Sequence, residues 1–422
     1  MQLTGAQTIV QTLKALNVRH VFSLPGTGIM QLLDAFVDEP AIQCVTVRHE
    51  QIASHMGDGY ARAAKEPGVV LVSRGPGAVN TLVGLVTAHP ACSPVVVIAG
   101  QAPTSWLGRE AFEEFDLVAM FRPTTKYAFE VERMNTLPEV IRRAMRASVT
   151  GRPGPVLVSV PFDLLTESDD VAINPARFTY PTRLRPDPQQ VEQAATLLVE
   201  ARNPAIFAGG GVGISDAFEE MQALAEALGC PVVPTSEEDM LPTAHPLLTT
   251  DKGLVQQADV VLAVGCRFTE FATSAWTLLK AGQKLIHIDI DPYQIDKVYP
   301  ADVGIVADAK MALADLLPAV RDRVRGDGAA RARERAAALA QKKAEARAKR
   351  WPTEEWDTAP IRPWVMVKAM QETFPPDAWI VQDTATLGAW MARCFDFPRA
   401  GRYVWSVGGS MGFGLPAAAG VK

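Results

Sequence analysis

Short, almost wholly apolar runs, each followed by a glycine- or proline-bearing turn or a helical pattern, constrain this chain more than any other feature. From residue 18 to about 165 they read VRHVF, then a Pro-Gly loop and IMQLLDAF; IQCVTV, then EQIASHMGDGYARAA; GVVLVS, then GPGAVNTLVGLVTA; PVVVIAG; and PVLVSVP. A strand with one face in water alternates apolar and polar residues, whereas a strand covered on both faces is apolar throughout. The rhythm is therefore that of βαβ units, an α/β fold of doubly wound parallel sheets with helices on both sides. It returns in PAIFA, PVVPTS, VVLAVG and KLIHIDI, and again in AWIVQD and GGSMGFGLPAAAGVK. Three such domains are expected, over 1–166, over 189–320 after a proline-rich linker (167–188), and over 361–422 after a charged helical linker (321–360). The third reads as the start of a domain, because a parallel sheet opened this way needs more strands to close its core. Its continuation is expected past Lys422.

Composition narrows the function classes. With 422 residues, 48% of them apolar, the chain has room for two or three cores. A formal charge of −6 gives no electrostatic case for nucleic acid, so the Ala/Arg/Lys-rich stretch from Arg321 to Arg350 reads as a connecting helix rather than a nucleic-acid arm. No apolar stretch is long and uncharged enough to span a membrane, and the N-terminus reads as an amphipathic helix without a signal-peptide pattern, so the expected location is cytoplasmic. The five cysteines are scattered without a CxxC pair, and none of the six histidines pairs with another His or Cys at metal-ligand spacing. No metal ligand is assigned within the chain.

Glu50 follows the strand IQCVTV and opens a helical segment in which Ile52, Met56 and Tyr60 recur at helical spacing, leaving the carboxylate in the first turn. An isolated Glu there simply favours the positive helix end, worth roughly 0.3–1 kcal/mol. Ser73-Arg74-Gly75-Pro76-Gly77-Ala78-Val79-Asn80 follows the next strand, and its glycines admit close backbone approach by a ligand or a neighbouring subunit. Gly209, Gly210 and Gly211 occupy the same kind of position, suiting either a nucleotide pyrophosphate or a tight turn. Asp289 and Asp291, at the end of HIDIDP, suit either a ribose or the cap of the following helix.

Taken in order, the Pro25-Gly26 loop, VRHEQIASHMGDGYARA, GPGAVN, GRPGPVLVSVP, the GGGVG loop, HIDIDP and GGSMGFGLPAA resemble the thiamine-diphosphate-dependent enzymes of the acetolactate synthase group, over nearly the whole chain. The resemblance implies a first domain that binds the aminopyrimidine, a middle domain that binds FAD or another adenine nucleotide, and a third that binds the diphosphate through Mg2+. It implies active sites between subunits of a homodimer or homotetramer; it does not say whether a regulatory subunit exists. Glu50 matches the cofactor-activating glutamate that hydrogen-bonds N1′ of the aminopyrimidine. Pro25, Gly26, Asn80, Ala385, Thr386, Leu387, Gly409 and Met411 match positions around thiamine diphosphate, Gly409 through its carbonyl and Met411 as the wedge that bends the cofactor. Arg152, the triple glycine, Arg267 and Asp289 match positions near a flavin.

The chain also departs from the family. The metal motif of the family would begin just beyond Lys422, so the Mg2+ ligands are expected there. Where acetolactate synthases carry Asp-Asp-Arg, this chain has Thr269-Glu270-Phe271, losing an arginine that clamps the acceptor's carboxylate. An acceptor without a carboxylate, or one held by Arg74 or Arg109, follows; Phe112 and Phe271 suit an apolar acceptor. Arg74 stands where the family has a small residue, and Glu113 where it has glutamine. The segment from His245 to Asp251 is shorter than the family's flavin-lining loop, and the paired histidines of pyruvate decarboxylases are missing after Gln101. The leading reading is a carboligase or lyase acting on a 2-keto acid such as pyruvate. A 2-keto acid decarboxylase or benzaldehyde-lyase-like enzyme is the alternative, and a binding or assembly homologue without a metal site is the reading outside enzymes.

Overall fold

The computed structural model describes residues 2–173, 183–235, 239–352 and 356–422. The chain divides into two compact units. One comprises Met1–Thr182, Val381–Thr384 and Val404–Lys422, the other Arg183–Ile380 and Ala385–Tyr403.

The first unit is built on a six-stranded sheet in the order Gln43–Thr46, His20–Ser23, Gly68–Val72, Val95–Gln101, Val156–Pro161 and Tyr127–Glu130, every pair parallel. Alternate residues of its central strands divide the core in two. Val69, Leu71, Val96, Ile98, Val156 and Val158 meet the helices Gly5–Ala15 and Leu137–Val149 on one face. On the other, Val70, Val72, Val95, Val97 and Leu157 are packed with Ala53 and Met56 of the helix Glu50–Ala64 and Leu85 of the helix Leu82–Ala88. This double burial explains why the strands read as continuous apolar runs. Chain order reverses between His20–Ser23 and Gly68–Val72, and in open α/β sheets ligands bind outside the carboxyl ends of strands at such a reversal.

Two local readings needed correction. The N-terminus is not helical from its start: Gln2–Thr4 is a strand, paired antiparallel with Ser168–Asp170, and the helix begins at Gly5 under a capping box between Thr4 and Gln7. GPGAVNTLVGLVTA is two helices, Pro76–Val79 and Leu82–Ala88, separated at Asn80 and Thr81.

The second unit carries a five-stranded parallel sheet in the order Val232–Pro234, Pro204–Ala208, Val260–Val264, Lys284–Asp289, Val303–Val306. Ile206, Leu262 and Ile286 fill one side of it, and Phe207, Val261 and Leu285 the other. Its charged helix Asp327–Ala348 is docked rather than free: Gly229 accommodates the backbone of Ala332, and Arg335 Nη2 donates to Leu228 O at 2.5 Å. Lys343 Nζ donates to Leu248 O at 2.6 Å.

Candidate active site

Glu50 is the first residue of its helix, capped by His49, whose ring Nδ1 accepts from Gln51 N at 3.2 Å. The expected apolar stripe packs inward, with Met56 in the core and Ile52 and Tyr60 against it, but small and polar residues are buried beside it. The most buried positions are the small and polar Ala53, Ser54, His55, Gly57 and Asp58, while Ile52 and Tyr60 are half-buried. The reason is close approach. A Cβ on Gly68 would lie 2.1 Å from Gly57 O, and one on Gly84 would lie 2.0 Å from Ser54 Oγ, so only small residues let this helix sit directly on the sheet and on its neighbour. That packing fixes the depth at which Glu50 emerges.

The Glu50 carboxylate is buried, at 8% exposure, and its two oxygens differ. Oε2 accepts from Asn80 Nδ2 at 3.0 Å. Oε1 has no hydrogen-bond partner among the described residues and faces Gly77, where a Cβ would stand 3.2 Å away. A carboxylate oxygen without a donor among the described residues, beside a position kept clear by glycine, has the chemistry to take an N–H from a planar heterocycle. The Pro25-Gly26 loop borders the same strand ends: Gly28 N donates to Ser73 Oγ at 3.1 Å, and a Cβ on Gly26 would meet Ser73 Cβ at 2.6 Å. Pro25, Gly26, Glu50, Gly77 and Asn80 thus gather where the chain order of the sheet reverses.

Arg74 and Phe112 are beside them. Arg74 Nε donates to Glu113 Oε2 at 3.2 Å, and its guanidinium carbon lies 5.9 Å from the ring centroid of Phe112.

Gly409 and Met411 belong to the first unit but to a different contact set. Their turn rests on Thr87 through Gly408 and reaches His55 through Ser410, whose Oγ is 3.2 Å from His55 Nε2. Asp383 shapes the turn by accepting from Gly412 N at 3.1 Å and Gly414 N at 2.8 Å. Gly409 has φ +74° with open space around its missing Cβ, and Met411 is 77% exposed. Among the described residues neither is in hydrogen-bond contact with Glu50. Asp383, Ser73 and His55 join these turns through hydrogen bonds that the sequence reading did not anticipate. Ser73 and Asp383 act as acceptors for backbone N–H groups of distant turns, a role with no spacing signature. Burial lowers the pKa of the His55 imidazole, against the opposing influence of Asp58 and Asp383.

Ala385, Thr386 and Leu387 lie in the second unit, at the entry to the helix Leu387–Cys394. There too the triple glycine closes on Gly265. A Cβ on Gly209 would lie 2.2 Å from Gly265 O, one on Gly211 2.6 Å from Gly265 Cα, and Gly211 N donates to Gly265 O at 3.2 Å. Arg267 is half-buried two residues further on. Asp289 is buried and accepts from Asp291 N at 2.9 Å, while Asp291 caps the turn at Pro292 by accepting from Tyr293 N at 3.1 Å. Phe271 is 87% exposed in this unit. Arg152 belongs to the first unit, where its Nε lies 3.2 Å from Cys92 Sγ. No group of three or more His, Cys, Asp or Glu that would suit a metal ion occurs among the described residues, and no helix there is long and apolar enough to cross a membrane.

Two family models match the chain: thiamine pyrophosphate enzyme, N-terminal TPP binding domain, over residues 3–120, and thiamine pyrophosphate enzyme, central domain, over residues 191–316. The chain is 36% identical to a probable acetolactate synthase large subunit of Methanocaldococcus jannaschii, in an alignment covering all of this chain and 73% of the relative. It is 33% identical to acetolactate synthase isozyme 3 large subunit of Escherichia coli K12, over all of this chain and 75% of that protein. With the large subunit of Lactococcus lactis the identity is 32%, over 99% and 73%. The buried glutamate at the sheet's reversal point and these matches agree: the chain belongs to the thiamine-diphosphate-dependent enzymes, in the acetolactate synthase large-subunit family.

Proposed function

We propose that this protein decarboxylates a 2-keto acid such as pyruvate and joins the remaining carbon unit to an acceptor carbonyl, in the manner of an acetolactate synthase. The observation that carries the proposal is the Glu50 carboxylate, with Oε2 held by Asn80 and Oε1 open toward Gly77. These residues fit the aminopyrimidine of thiamine diphosphate. When bound, that cofactor supplies a nucleophilic carbon and an electron sink for decarboxylation. Glu50 Oε1 holds and exchanges a proton at N1′, and Asn80 keeps the carboxylate from turning away. Pro25 and Gly26 line the same rim. In this reading Gly409 and Met411 also touch the cofactor, and Arg74 and Phe112 the substrate; Ala385, Thr386 and Leu387 as cofactor contacts and Phe271 as a substrate contact are proposed from the resemblance alone.

Three finer parts belong to the same proposal. Mg2+ is proposed as the ion that accompanies the diphosphate, although among the described residues no group of three or more His, Cys, Asp or Glu suits such an ion. FAD is proposed in the middle domain, supported by the half-buried Arg267 and the buried Asp289 near the carboxyl ends of adjacent strands. A homodimer or homotetramer is proposed from apolar side chains left exposed on the first unit, among them Met30, Val83, Val86 and Trp106. A cytoplasmic location goes with five free cysteines.

The test is product analysis with pyruvate alone and with pyruvate plus an aldehyde, in the presence of thiamine diphosphate and magnesium. Carbon dioxide with a ligated product supports carboligation, and carbon dioxide with free aldehyde supports the decarboxylase alternative. Neither product refutes both.

A further inference from the structure

We propose that Arg74 is the receptor for a carboxylate on the acceptor and that Glu113 is the positioning residue that aims it, an inference that rests on the carboligase reading above. The Arg74 side chain is 13% exposed, so most of its stem is packed away. Its Nε is engaged by Glu113 at 3.2 Å and one side is covered by the Phe112 ring. Nη1 and Nη2 have no hydrogen-bond partner among the described residues. A guanidinium held at Nε presents its other edge as a fixed two-pronged donor, the geometry that takes a carboxylate in bidentate fashion.

The surroundings hold that aim. Glu113 sits at φ +58°, in the left-handed region uncommon for a side chain other than Gly, Asn or Asp. Its carbonyl oxygen packs against Gly75, where a Cβ would come within 2.6 Å. Glu114 ties the same loop together by accepting from Gly108 N at 2.5 Å and Ala111 N at 2.8 Å, and Gln101 Nε2 anchors its end at Phe115 O at 2.8 Å. Arg74 lies three residues before Gly77, the glycine whose missing Cβ faces the open oxygen of Glu50. An acceptor bearing both a carbonyl and a carboxylate is the substrate class that this pairing selects.

The experiment is a competition in one vessel, with pyruvate as donor and with pyruvate and benzaldehyde as rival acceptors, read as the ratio of the two ligated products. That ratio is insensitive to the amount of active enzyme. Arg74→Gln is expected to shift it toward the benzaldehyde-derived ketone by about ten-fold or more, the loss expected for a charged bidentate contact. Arg74→Lys, which keeps the charge without the fork, should fall between. Glu113→Ala should shift the ratio in the same direction by about three-fold; a purely structural Glu113 would leave it unchanged. In parallel, modification of Arg74 by phenylglyoxal, followed by peptide mass spectrometry, should be slowed by pyruvate and not by acetaldehyde. Ligated products with an unchanged ratio in Arg74→Gln, or no protection by pyruvate, overturn the inference while leaving the carboligase reading intact. Protection without any ligated product overturns the carboligase reading and leaves Arg74 as a carboxylate receptor.

Discussion

Gly77→Ala separates the cofactor cradle from the fold. The added methyl would stand 3.2 Å from Glu50 Oε1 and 3.2 Å from Ser73 Cβ, with nothing else within 4 Å. Both contacts are tight without being impossible, so neighbours must give by a few tenths of an ångström. Gly77 lies within the short helix Pro76–Val79, where replacing glycine by alanine gains roughly 0.5–1 kcal/mol. Strain of similar size opposes it, since overpacking costs typically 1–3 kcal/mol and the Glu50 side chain is a movable end. The net change in stability is therefore expected within about 2 kcal/mol. The cofactor has no such freedom, because the methyl occupies the space through which a planar ring must reach Oε1. Thiamine diphosphate affinity should fall at least about ten-fold, the equivalent of about 1.4 kcal/mol. The assay is the cofactor concentration giving half-maximal product formation, set beside the thermal midpoint of the same variant. Wild-type cofactor dependence in a folded Gly77→Ala protein would refute the placement of the ring at Glu50.

Glu50→Gln keeps the shape and the Asn80 contact but removes the proton-exchanging oxygen, so turnover should drop by about 10²–10⁴ with stability changed by about 1–2 kcal/mol; product formation and urea unfolding check the two parts. Gly209→Ala would drive a Cβ to 2.2 Å from Gly265 O, backbone against backbone, and should destabilise the second unit by about 2–4 kcal/mol, read as an earlier thermal transition. Burial depresses the pKa values of His55 and His287 below the usual 6.5, so both are favoured neutral in the fold. Stability is therefore full above that value and is lost as pH falls from it toward the folded pKa, because the unfolded chain takes up protons first. Urea midpoints should decline between about pH 7 and pH 5.5, and His287→Gln should flatten that slope. Lys343, pushed down to about 8 by burial, should react with an amine-directed acylating reagent only when the Asp327–Ala348 helix is loosened, since its Nζ is spent on Leu248 O. Rapid labelling of Lys343 in the native protein would contradict that docking.

The parallel sheets were legible because their signal is local: five or six consecutive apolar residues can be buried on both faces only between layers of helix. The helix at Glu50 was legible in extent and in its apolar stripe, but not in the small residues buried beside that stripe. Ile52, Met56 and Tyr60 pack against the core as their spacing predicts, and Ala53, Ser54, Gly57 and Asp58 are buried beside them where backbones approach closely. A hydrophobic periodicity reports where large side chains go and says nothing of where two backbones touch. The strand Ser168–Asp170 escaped for the opposite reason, since all three residues are exposed and polar and only the pairing with Gln2–Thr4 makes them a strand. The ion pair between Arg74 and Glu113 spans 39 residues of chain, and nothing in the spacing of either residue announces it.

Glycine-rich turns after strands carry one signal in the sequence and two physical causes in the structure. At Gly77 the missing Cβ faces a carboxylate oxygen that has no hydrogen-bond partner among the described residues, leaving room for a group that can donate a hydrogen bond there. At Gly209 and Gly211 the missing Cβ atoms face the backbone of Gly265, and the space is already taken up in holding two strand ends together. The first arrangement leaves an acceptor open to a hydrogen bond from a bound molecule. The second is self-sufficient. That contrast, rather than the presence of glycine, is what separates a cradle open to a partner from a turn built for the fold.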